Sequence, residues 1–442
     1  MTGYITNKST WVFLVIAVLM TPLVSASPQT AAAQVTEFDV NGMKVLIKRR
    51  PGAPTIAGGL FFRGGVRNLT ADTAGLEGFT LSVAAEATKN FPRQKLRKET
   101  SRIGTSISAG ANYDYSVLAL SCTKQNFDVS WQMFVDVAIN PTFAPDDVDR
   151  LRGGLLTALR SQSDSPEGQL DSSSDAILYA GHPYAIDPNG TIANVTRFKA
   201  AELAAYQKKL MQTSRMLLVI VGDVEPAALQ KQIAASFGTL PKGDYKDTPL
   251  PPLKFAAPSV DIVSKPIQTD YVQGTFAAPS IGEPDYYAMR TAITILQANV
   301  FQEVRVKRNL SYAPDAAINN NAANTATISV SSVDPNQSIR VMLDEINKLR
   351  QTPVEDDTLG QMSGFFLTTY YIGQETNAAQ AASLAQYELM GGGWRRSLEF
   401  LDRIRQVTPA EVQAAANKYM RNIRFVVVGK PSDIDKAVFL QN

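Results

Sequence analysis

The sequence has very little of the chemistry from which most reactive sites are built: it contains one cysteine and one histidine in 442 residues. The single cysteine, Cys122, excludes a disulfide within the chain, so the fold has to be stabilised by its core. Cys122 ends the alternating, strand-like segment VLALSC, and we expect it to be buried. The single histidine, His182, excludes any metal site that needs two imidazole ligands.

An excess of charge of one sign is also lacking. The chain has 43 Lys and Arg residues against 41 Asp and Glu residues, which leaves a formal net charge of +2 and no block of basic residues. Such a balance favours neither nucleic acid nor an anionic membrane surface as a partner. With 45% hydrophobic and 19% charged residues the composition is that of a globular protein, and the length predicts at least two domains.

Long hydrophobic runs are missing except near the N-terminus. There, Trp11 to Val24 is almost wholly apolar and follows Lys8, but it is shorter than the ~20 residues of a membrane-spanning helix. Small residues follow it at two places that would suit a signal peptidase, and we predict a signal peptide over residues 1–33. The mature protein is then exported, to the periplasm, without stable membrane insertion; an uncleaved anchor is the alternative.

Two distant segments resemble each other and indicate an internal duplication. They are FKAAELAAYQKKLMQTSRMLLVIVGDV, from Phe198, and VTPAEVQAAANKYMRNIRFVVVGKP, from Val407. Each predicts an Ala-rich helix with a tyrosine near its end, Tyr206 or Tyr419, followed by a strand that ends in glycine. The strands are continuous apolar runs, which is typical of strands covered on both faces.

A proline-rich stretch separates the two repeats and predicts the domain boundary. Its prolines are incompatible with the interior of a helix and with a central strand. We therefore expect residues 241–261 to form a linker between domains at 35–240 and 262–442. The predicted fold class is α+β, with two homologous α/β-sandwich halves in which a mixed sheet is covered by helices. A duplicated pair on such a tether could close like a clamshell around an extended ligand.

The order of several short motifs resembles a known family. In the first half these are GGVRN, AGLEGFTLSVAAEAT, IGTSISAGANYDYSVLALS, AINPTF, GHPYA and VGDV, and the second half adds FQEVRVKRNLSYAPDA. Together they resemble the pitrilysin/insulinase family of zinc metallopeptidases in its short two-domain form. The likeness covers nearly the whole mature chain, and its specificity lies in the order and spacing of the motifs.

The resemblance implies a metal site whose ligands this chain lacks. In catalytic members the helix after the first loop carries His-x-x-Glu-His, which supplies two zinc ligands and the general base, and a later glutamate is the third ligand. Alignment places Gly78 and Ser82 at the two histidines, Leu81 at the base, and Ala158 or a near neighbour at the third ligand. Zinc needs imidazole, thiolate or carboxylate ligands, so we expect neither a metal nor a catalytic residue in this chain.

The resemblance also implies an Arg/Tyr pair in VKRNLSY of the second half. Arg308 and Tyr312 would contact the substrate peptide near a zinc ion carried by the other half or by another subunit. The residues themselves predict a helix that ends near Lys307, a left-handed turn at Asn309 and a strand that begins at Leu310. From the residues alone, capping by Arg308 and packing by Tyr312 are the alternative.

Two further segments are expected to be structural. His182 precedes Pro183 in GHPYA and is interpreted as a turn residue with a structural hydrogen bond. The glycine run of MGGGWRR, from Met390 to Arg396, lacks the lysine and the preceding strand of a phosphate-binding loop and is interpreted as a flexible loop or hinge.

These observations predict a non-catalytic, substrate-binding subunit of an exported two-subunit zinc metallopeptidase that hydrolyses peptides. Its partner would be a homologous catalytic subunit with His-x-x-Glu-His, and the zinc would be bound there. Two alternatives stay open. One is a stand-alone exported peptide-binding or chaperone-like protein without hydrolytic activity, and the other is an architectural subunit of a membrane complex.

Overall fold

Two mixed β-sheets, each covered by helices, form the computed structural model, which describes residues 34–441. This architecture confirms the predicted fold class. The predicted signal peptide, residues 1–33, lies outside the described residues.

The N-terminal half of the chain supplies the first sheet and the first group of helices. Its strands are β1 (Val35–Val40), β2 (Met43–Arg49), β3 (Thr55–Arg63), β4 (Ser106–Ala111), β5 (Tyr115–Thr123) and β6 (Met216–Gly222). Its helices are α1 (Leu76–Ala84), α2 (Arg93–Ile103), α3 (Phe127–Ile139), α4 (Pro145–Asp164), α5 (Pro166–Leu178), α6 (Ile192–Arg197), α7 (Ala200–Leu210) and α8 (Pro226–Ala235).

The C-terminal half supplies the second sheet and the second group of helices. Its strands are β7 (Ser259–Ser264), β8 (Asp270–Ala277), β9 (Asp315–Ile318), β10 (Thr325–Ser332) and β11 (Arg424–Gly429). Its helices are α9 (Tyr286–Val300), α10 (Pro335–Gln351), α11 (Asp356–Gly373), α12 (Asn377–Met390), α13 (Phe400–Arg405), α14 (Pro409–Tyr419) and α15 (Lys436–Phe439). Helix α9 continues into one π-helical segment, Phe301–Val306.

The strand orders show the duplication. The first sheet runs β1-β2-β6-β3-β5-β4 and the second β7-β11-β8-β10-β9. In each sheet one parallel pair, β2 with β6 or β7 with β11, is followed by antiparallel neighbours in the same succession. Strand β1 is an addition to the first sheet. The repeated segments therefore become α7–β6 and α14–β11, as their sequences predict.

Local signals explain where the repeated helices and strands begin. Thr408 caps α14 by accepting from the Glu411 backbone N–H, and the Glu411 carboxylate accepts from the Thr408 N–H at 2.8 Å. Both segments then enter strands that lie inside their sheets, and every residue of β6 is buried. A strand that is covered on both faces is apolar throughout, because none of its side chains points to solvent.

One helix of each half packs on the sheet of the other half. Helix α12 of the second half packs on the first sheet, where Leu384 and Ala385 join a buried cluster with Phe61 and Val219. Reciprocally, α5 of the first half packs on the second sheet, where its Leu170 is buried with Val426 and Val428. Side-chain burial of this kind stabilises by about 25 cal/mol per Å² of apolar area.

Polar contacts fix the two ends of α12 on the first sheet. At one end Asn377 donates to the Thr55 carbonyl at 2.6 Å and accepts from Arg50 at 2.5 Å. At the other end Glu388 pairs with Lys44 at 2.6 Å. Because these contacts hold helices of each half on the sheet of the other, the structure argues against the expected clamshell motion between the two halves of one chain.

The proline-rich segment is bound to the first half and is not a free tether. The Pro241 carbonyl accepts from the Thr213 N–H, and the Pro251 carbonyl lies 3.0 Å from a ring nitrogen of His182. Strand β7 begins at Ser259, two residues before the predicted end of the linker at residue 261.

The glycine run before Trp394 also differs from its interpretation as a hinge. Trp394 is buried, and its indole N–H donates to Glu37 at 3.0 Å, which anchors the loop on β1. Among residues 34–441, no helix combines the length and the apolar character that crossing a membrane requires.

Candidate functional site

Helix α1 carries the positions at which the resemblance expects two metal ligands. The helix follows Gly75, whose φ of +83° is a left-handed conformation that favours glycine. Gly78 and Ser82, one turn apart, line a cavity of about 310 Å³. The Ser82 hydroxyl donates to the Gly78 carbonyl at 2.8 Å, and a Cβ atom added at Gly78 would lie 3.2 Å from that of Ala111. The cavity is lined by small or apolar residues and one asparagine, and it contains no imidazole, thiolate or carboxylate that could bind zinc.

The other two aligned positions are no better suited to metal chemistry. Leu81 is fully buried in the core of the first sheet. Helix α4 contributes Gly154 and Leu155 to the cavity, whereas Ala158 is exposed about one turn further along and does not line it. Across residues 34–441, no three or more His, Cys, Asp or Glu side chains are grouped so that they could hold a metal ion. The donor set does not fit zinc, and the equivalence of these residues to the family's ligands stays a prediction.

A buried acidic network, which the sequence did not reveal, lies beside these positions. Glu77 is 2% exposed and precedes Gly78. Its carboxylate accepts from Ser116 at 2.6 Å, from Tyr206 at 2.7 Å and from the Arg215 guanidinium at 2.6 Å. Burial and the Glu77 charge raise the pKa of Tyr206, so the phenol stays a donor. Both oxygens of Glu77 are engaged, and its role is to hold α1 against β5, α7 and the start of β6.

The second half repeats part of this network. Tyr419 of α14 donates to Asp285 at 3.0 Å, and Asp285 stands at the start of α9. Tyr206 and Tyr419 are the two tyrosines that the sequence repeat aligns. The repeat could therefore have been used to predict that both tyrosines make equivalent contacts. In both halves a tyrosine of the later helix bonds a carboxylate in or beside the first turn of the earlier one.

The segment that carries the expected Arg/Tyr pair follows α9. Asn309 has a φ of 52°, as its position in the predicted turn requires. The strand predicted to begin at Leu310 is wrong, since β9 begins at Asp315. The Leu310 N–H instead donates to the Val304 carbonyl, which folds this stretch back on the π-helical segment.

Arg308 and Tyr312 both lie at the surface after this turn. The Arg308 guanidinium donates to the Glu303 carboxylate at 2.5 Å and to the Glu303 carbonyl at 3.0 Å. The Tyr312 side chain is 79% exposed, and its ring is covered on one face by the Arg305 guanidinium at 4.0 Å. Tyr312 is therefore not packed in the core, and its stacking partner is an arginine that the sequence analysis did not single out.

The remaining reactive side chains are structural. His182 Nδ1 accepts from the Tyr184 N–H at 3.1 Å, in line with its interpretation as a turn residue. Cys122 is buried, and burial raises the pKa of its thiol to about 11. A thiol that stays protonated at neutral pH is a poor nucleophile and a poor ligand.

Comparison with known proteins identifies the family to which the chain is similar. The model of insulinase (peptidase family M16) matches residues 44–186, and that of the peptidase M16 inactive domain matches residues 197–362. An uncharacterized zinc protease of Mycobacterium tuberculosis is 23% identical over 404 residues, which cover 88% of this chain and 92% of that protein. Subunit 1 of the mitochondrial cytochrome b-c1 complex of Bos taurus is 22% identical, over 60% of this chain and 55% of its own length.

Solved structures share the fold. A peptidase M16 inactive domain from Pseudomonas fluorescens superposes with a TM-score of 0.82 at 20% identity, over 90% of this chain and 98% of its own. The periplasmic protease PqqL from Escherichia coli gives a TM-score of 0.76 at 15% identity, over 96% of this chain but 49% of its own.

The duplicated fold is that of a peptidase family, and the residues described by the structure contain no group of side chains that could hold a metal ion. The chain belongs to the insulinase family of peptidases, M16, as a non-catalytic member.

Proposed function

We propose that this chain is the non-catalytic, substrate-binding subunit of an exported two-subunit zinc metallopeptidase that hydrolyses peptides. The partner is a homologous chain with His-x-x-Glu-His, and the zinc ion is bound there. The observation that carries the proposal is the match to PqqL: the chain corresponds to 49% of that periplasmic protease, the size of one half, and lacks the metal ligands. A half of this kind needs a second half that supplies the metal.

Arg308 and Tyr312 are the residues that we assign to the substrate. Both are at the surface, next to a π-helical segment, and such segments occur frequently at functional sites. An arginine can grip a peptide carbonyl or carboxylate, and a phenol can donate to the same oxygen. Release of Arg308 from Glu303 on substrate binding follows from this assignment.

The test of the pairing is native mass spectrometry of the tagged mature protein, purified from its own source. We expect a second chain of similar size that bears His-x-x-Glu-His, together with one zinc ion. A monomer or homodimer free of zinc would favour the stand-alone peptide-binding protein. Recovery in a membrane complex without peptidase activity would favour an architectural subunit.

The test of the substrate role uses the assembled complex. Arg308→Ala or Tyr312→Ala should each lower kcat/KM for peptide cleavage by about tenfold or more, because each removes a donor to the substrate, and should leave assembly intact. Arg403→Ala and Tyr371→Ala are matched controls, since Arg403 also pairs with a glutamate and Tyr371 is also exposed. Equal cleavage by all four variants and the unmodified complex would contradict the assignment of Arg308 and Tyr312 to the substrate.

A further inference from the structure

A cavity of about 200 Å³ lies where α9, α11 and α12 meet in the second half. Aromatic rings form much of its wall: Phe366 and Tyr370 come from α11, and Phe400 comes from α13. The rings of Tyr370 and Phe400 are parallel within 7°, with 5.7 Å between their centroids. Phe366 is buried, whereas Thr369 and Gly373 are exposed at the rim. The cavity therefore combines an apolar floor with access from solvent.

Of the described residues that line this cavity, Arg290 alone carries a charge. Its side chain, on α9, lies beside the hydroxyl of Tyr286, and its Nε atom is buried without a hydrogen-bond acceptor. Tyr286 donates to Asn320 at 2.7 Å, and burial raises the pKa of Tyr286 against the nearby charge of Arg290, so the phenol stays neutral. Arg290 therefore has a neutral neighbour and an unused donor in the place of a counter-ion.

The carboxylates beside this wall are paired with other arginines. Glu399 accepts from Arg403 at 3.1 Å, and Asp402 pairs with Arg405 at 3.4 Å. Among the residues that the structure describes, no aspartate or glutamate lines the cavity itself. A partly buried cation without a counter-ion is unfavourable in the free protein, and an anionic ligand would relieve that cost.

The size, charge and walls of the cavity select one class of ligand. A single guanidinium matches one carboxylate through two parallel hydrogen bonds, whereas it would neutralise only part of the charge of a phosphate group, about −1.5 to −2. Aromatic walls favour a flat apolar ring in offset-stacked or edge-to-face contact. The volume lies below the range of about 300–1,000 Å³ that is typical of sites for drug-sized molecules, so the ligand has to be small.

We propose that this cavity binds a small aromatic monocarboxylate, whose ring contacts the aromatic wall and whose carboxylate accepts from the Arg290 guanidinium. The side chain of Arg290 turns its unused Nε edge toward the ligand. Arg290 stands about three helical turns before the π-helical segment, so this site is distinct from the residues assigned to the peptide. The inference goes beyond the peptide-binding role and does not depend on it.

The experiment measures binding of 3-phenylpropionate to the isolated full-length mature chain by ligand-observed NMR titration. The comparison ligands are 3-phenylpropionamide, which lacks the charge, and butyrate, which lacks the ring. We expect a Kd of about 0.1–1 mM for 3-phenylpropionate, as suits a ligand of this size. The amide and butyrate should each bind about fivefold to tenfold more weakly, and inorganic phosphate at the same concentration should not compete.

The discrimination between acid and amide is the readout that belongs to Arg290. In Arg290→Met the ratio of the two affinities should fall to about one, and in Arg290→Lys it should be intermediate, because the charge remains and the planar fork is lost. Arg350→Met is the matched control, since the Nε atom of Arg350 is also buried without an acceptor but Arg350 does not line the cavity. Its ratio should equal that of the unmodified chain.

The preference for a ring over an alkyl chain is the readout that belongs to the aromatic wall. Tyr370→Ala should reduce the preference for 3-phenylpropionate over butyrate about threefold or more and should leave the ratio of acid to amide unchanged. Tyr370 is partly exposed, so this variant is available even where Arg290→Met fails to fold. Thermal unfolding of each variant checks its fold.

Three results with the unmodified chain overturn the inference: no saturable binding, equal affinity for acid and amide, or competition by phosphate at equal concentration. An unchanged ratio of acid to amide in a folded Arg290→Met or Arg290→Lys chain also overturns it. Because the measurement needs neither a second subunit nor a peptide, failure of the proposed function leaves this test in place, and failure of this test leaves the proposed function in place.

Discussion

At the scale of single residues, small or apolar side chains stand at the positions that the resemblance assigns to the metal site, and the buried carboxylate of Glu77 lies beside them. The sequence alone shows that Gly78 and Ser82 carry no zinc ligand, whatever the fold, whereas their equivalence to the family's ligands stays a prediction. The hydrogen-bond network of Glu77 could not be predicted, because nothing in the sequence distinguishes a buried glutamate from an exposed polar residue of a helix. The contact between Arg305 and Tyr312 was missed because the two residues are seven positions apart and are brought together by the turn at Asn309.

Asp175 should make stability depend on pH. It accepts from Tyr113 at 2.8 Å, and burial, followed by repulsion from Asp171 and Asp187, raises its pKa to about 6, against the attraction of that hydrogen bond. Folding therefore favours the protonated acid, so the stability that Asp175 contributes is present below its unfolded pKa of about 4 and is lost as the pH rises through 6.

We accordingly expect Asp175→Asn to match the unmodified protein near pH 4 and to exceed its free energy of unfolding by about 1–3 kcal/mol at pH 7. The measurement is denaturant unfolding at both pH values. Asp402→Asn, a change at a half-exposed aspartate, is the control. A constant difference between Asp175→Asn and the unmodified protein from pH 4 to 7 would contradict the pKa.

At the scale of helices and strands, the sequence predicted the strongest periodic elements and could not predict which sheet each helix covers. The apolar runs MLLVIVG and RFVVVG became β6 and β11 because central strands are apolar on both faces. Helix α12 has the same kind of apolar stripe that a helix of its own half would have. Its position on the first sheet depends on a buried cluster that combines Leu384 with Phe61, residues far apart in the chain, and the periodicity of the helix cannot predict such a cluster.

The exchange of α5 and α12 predicts that the two halves unfold together. Leu384→Ala removes a buried side chain from the first sheet and should cost about 2–5 kcal/mol. Calorimetry should show one transition that shifts as a whole to lower temperature, and Leu440→Ala, at an exposed leucine, should shift it little. Two transitions, of which Leu384→Ala moves only one, would mean that the halves are independent.

At the scale of the whole molecule, the reciprocal helices change where a substrate cavity can open. The expectation of a clamshell within one chain rested on reading residues 241–261 as a free tether, but that segment is hydrogen-bonded to the first half at Pro241 and contacts His182 at Pro251. On the two-subunit proposal, a peptide would then be enclosed by movement between this chain and its partner, and the moving interface would lie between the two subunits.

Spin labels can test this rigidity directly, because Cys122 is the only cysteine of the sequence and is buried. Labels at Lys98→Cys on α2 and Asp344→Cys on α10 stand on exposed positions of the two halves. We expect one narrow distance distribution that peptide leaves unchanged, since bending at the linker would break the contacts of α12 with the first sheet and of α5 with the second. A second population of distances, or a shift of the distance when peptide is added, would support clamshell motion within the chain, with the linker as its hinge.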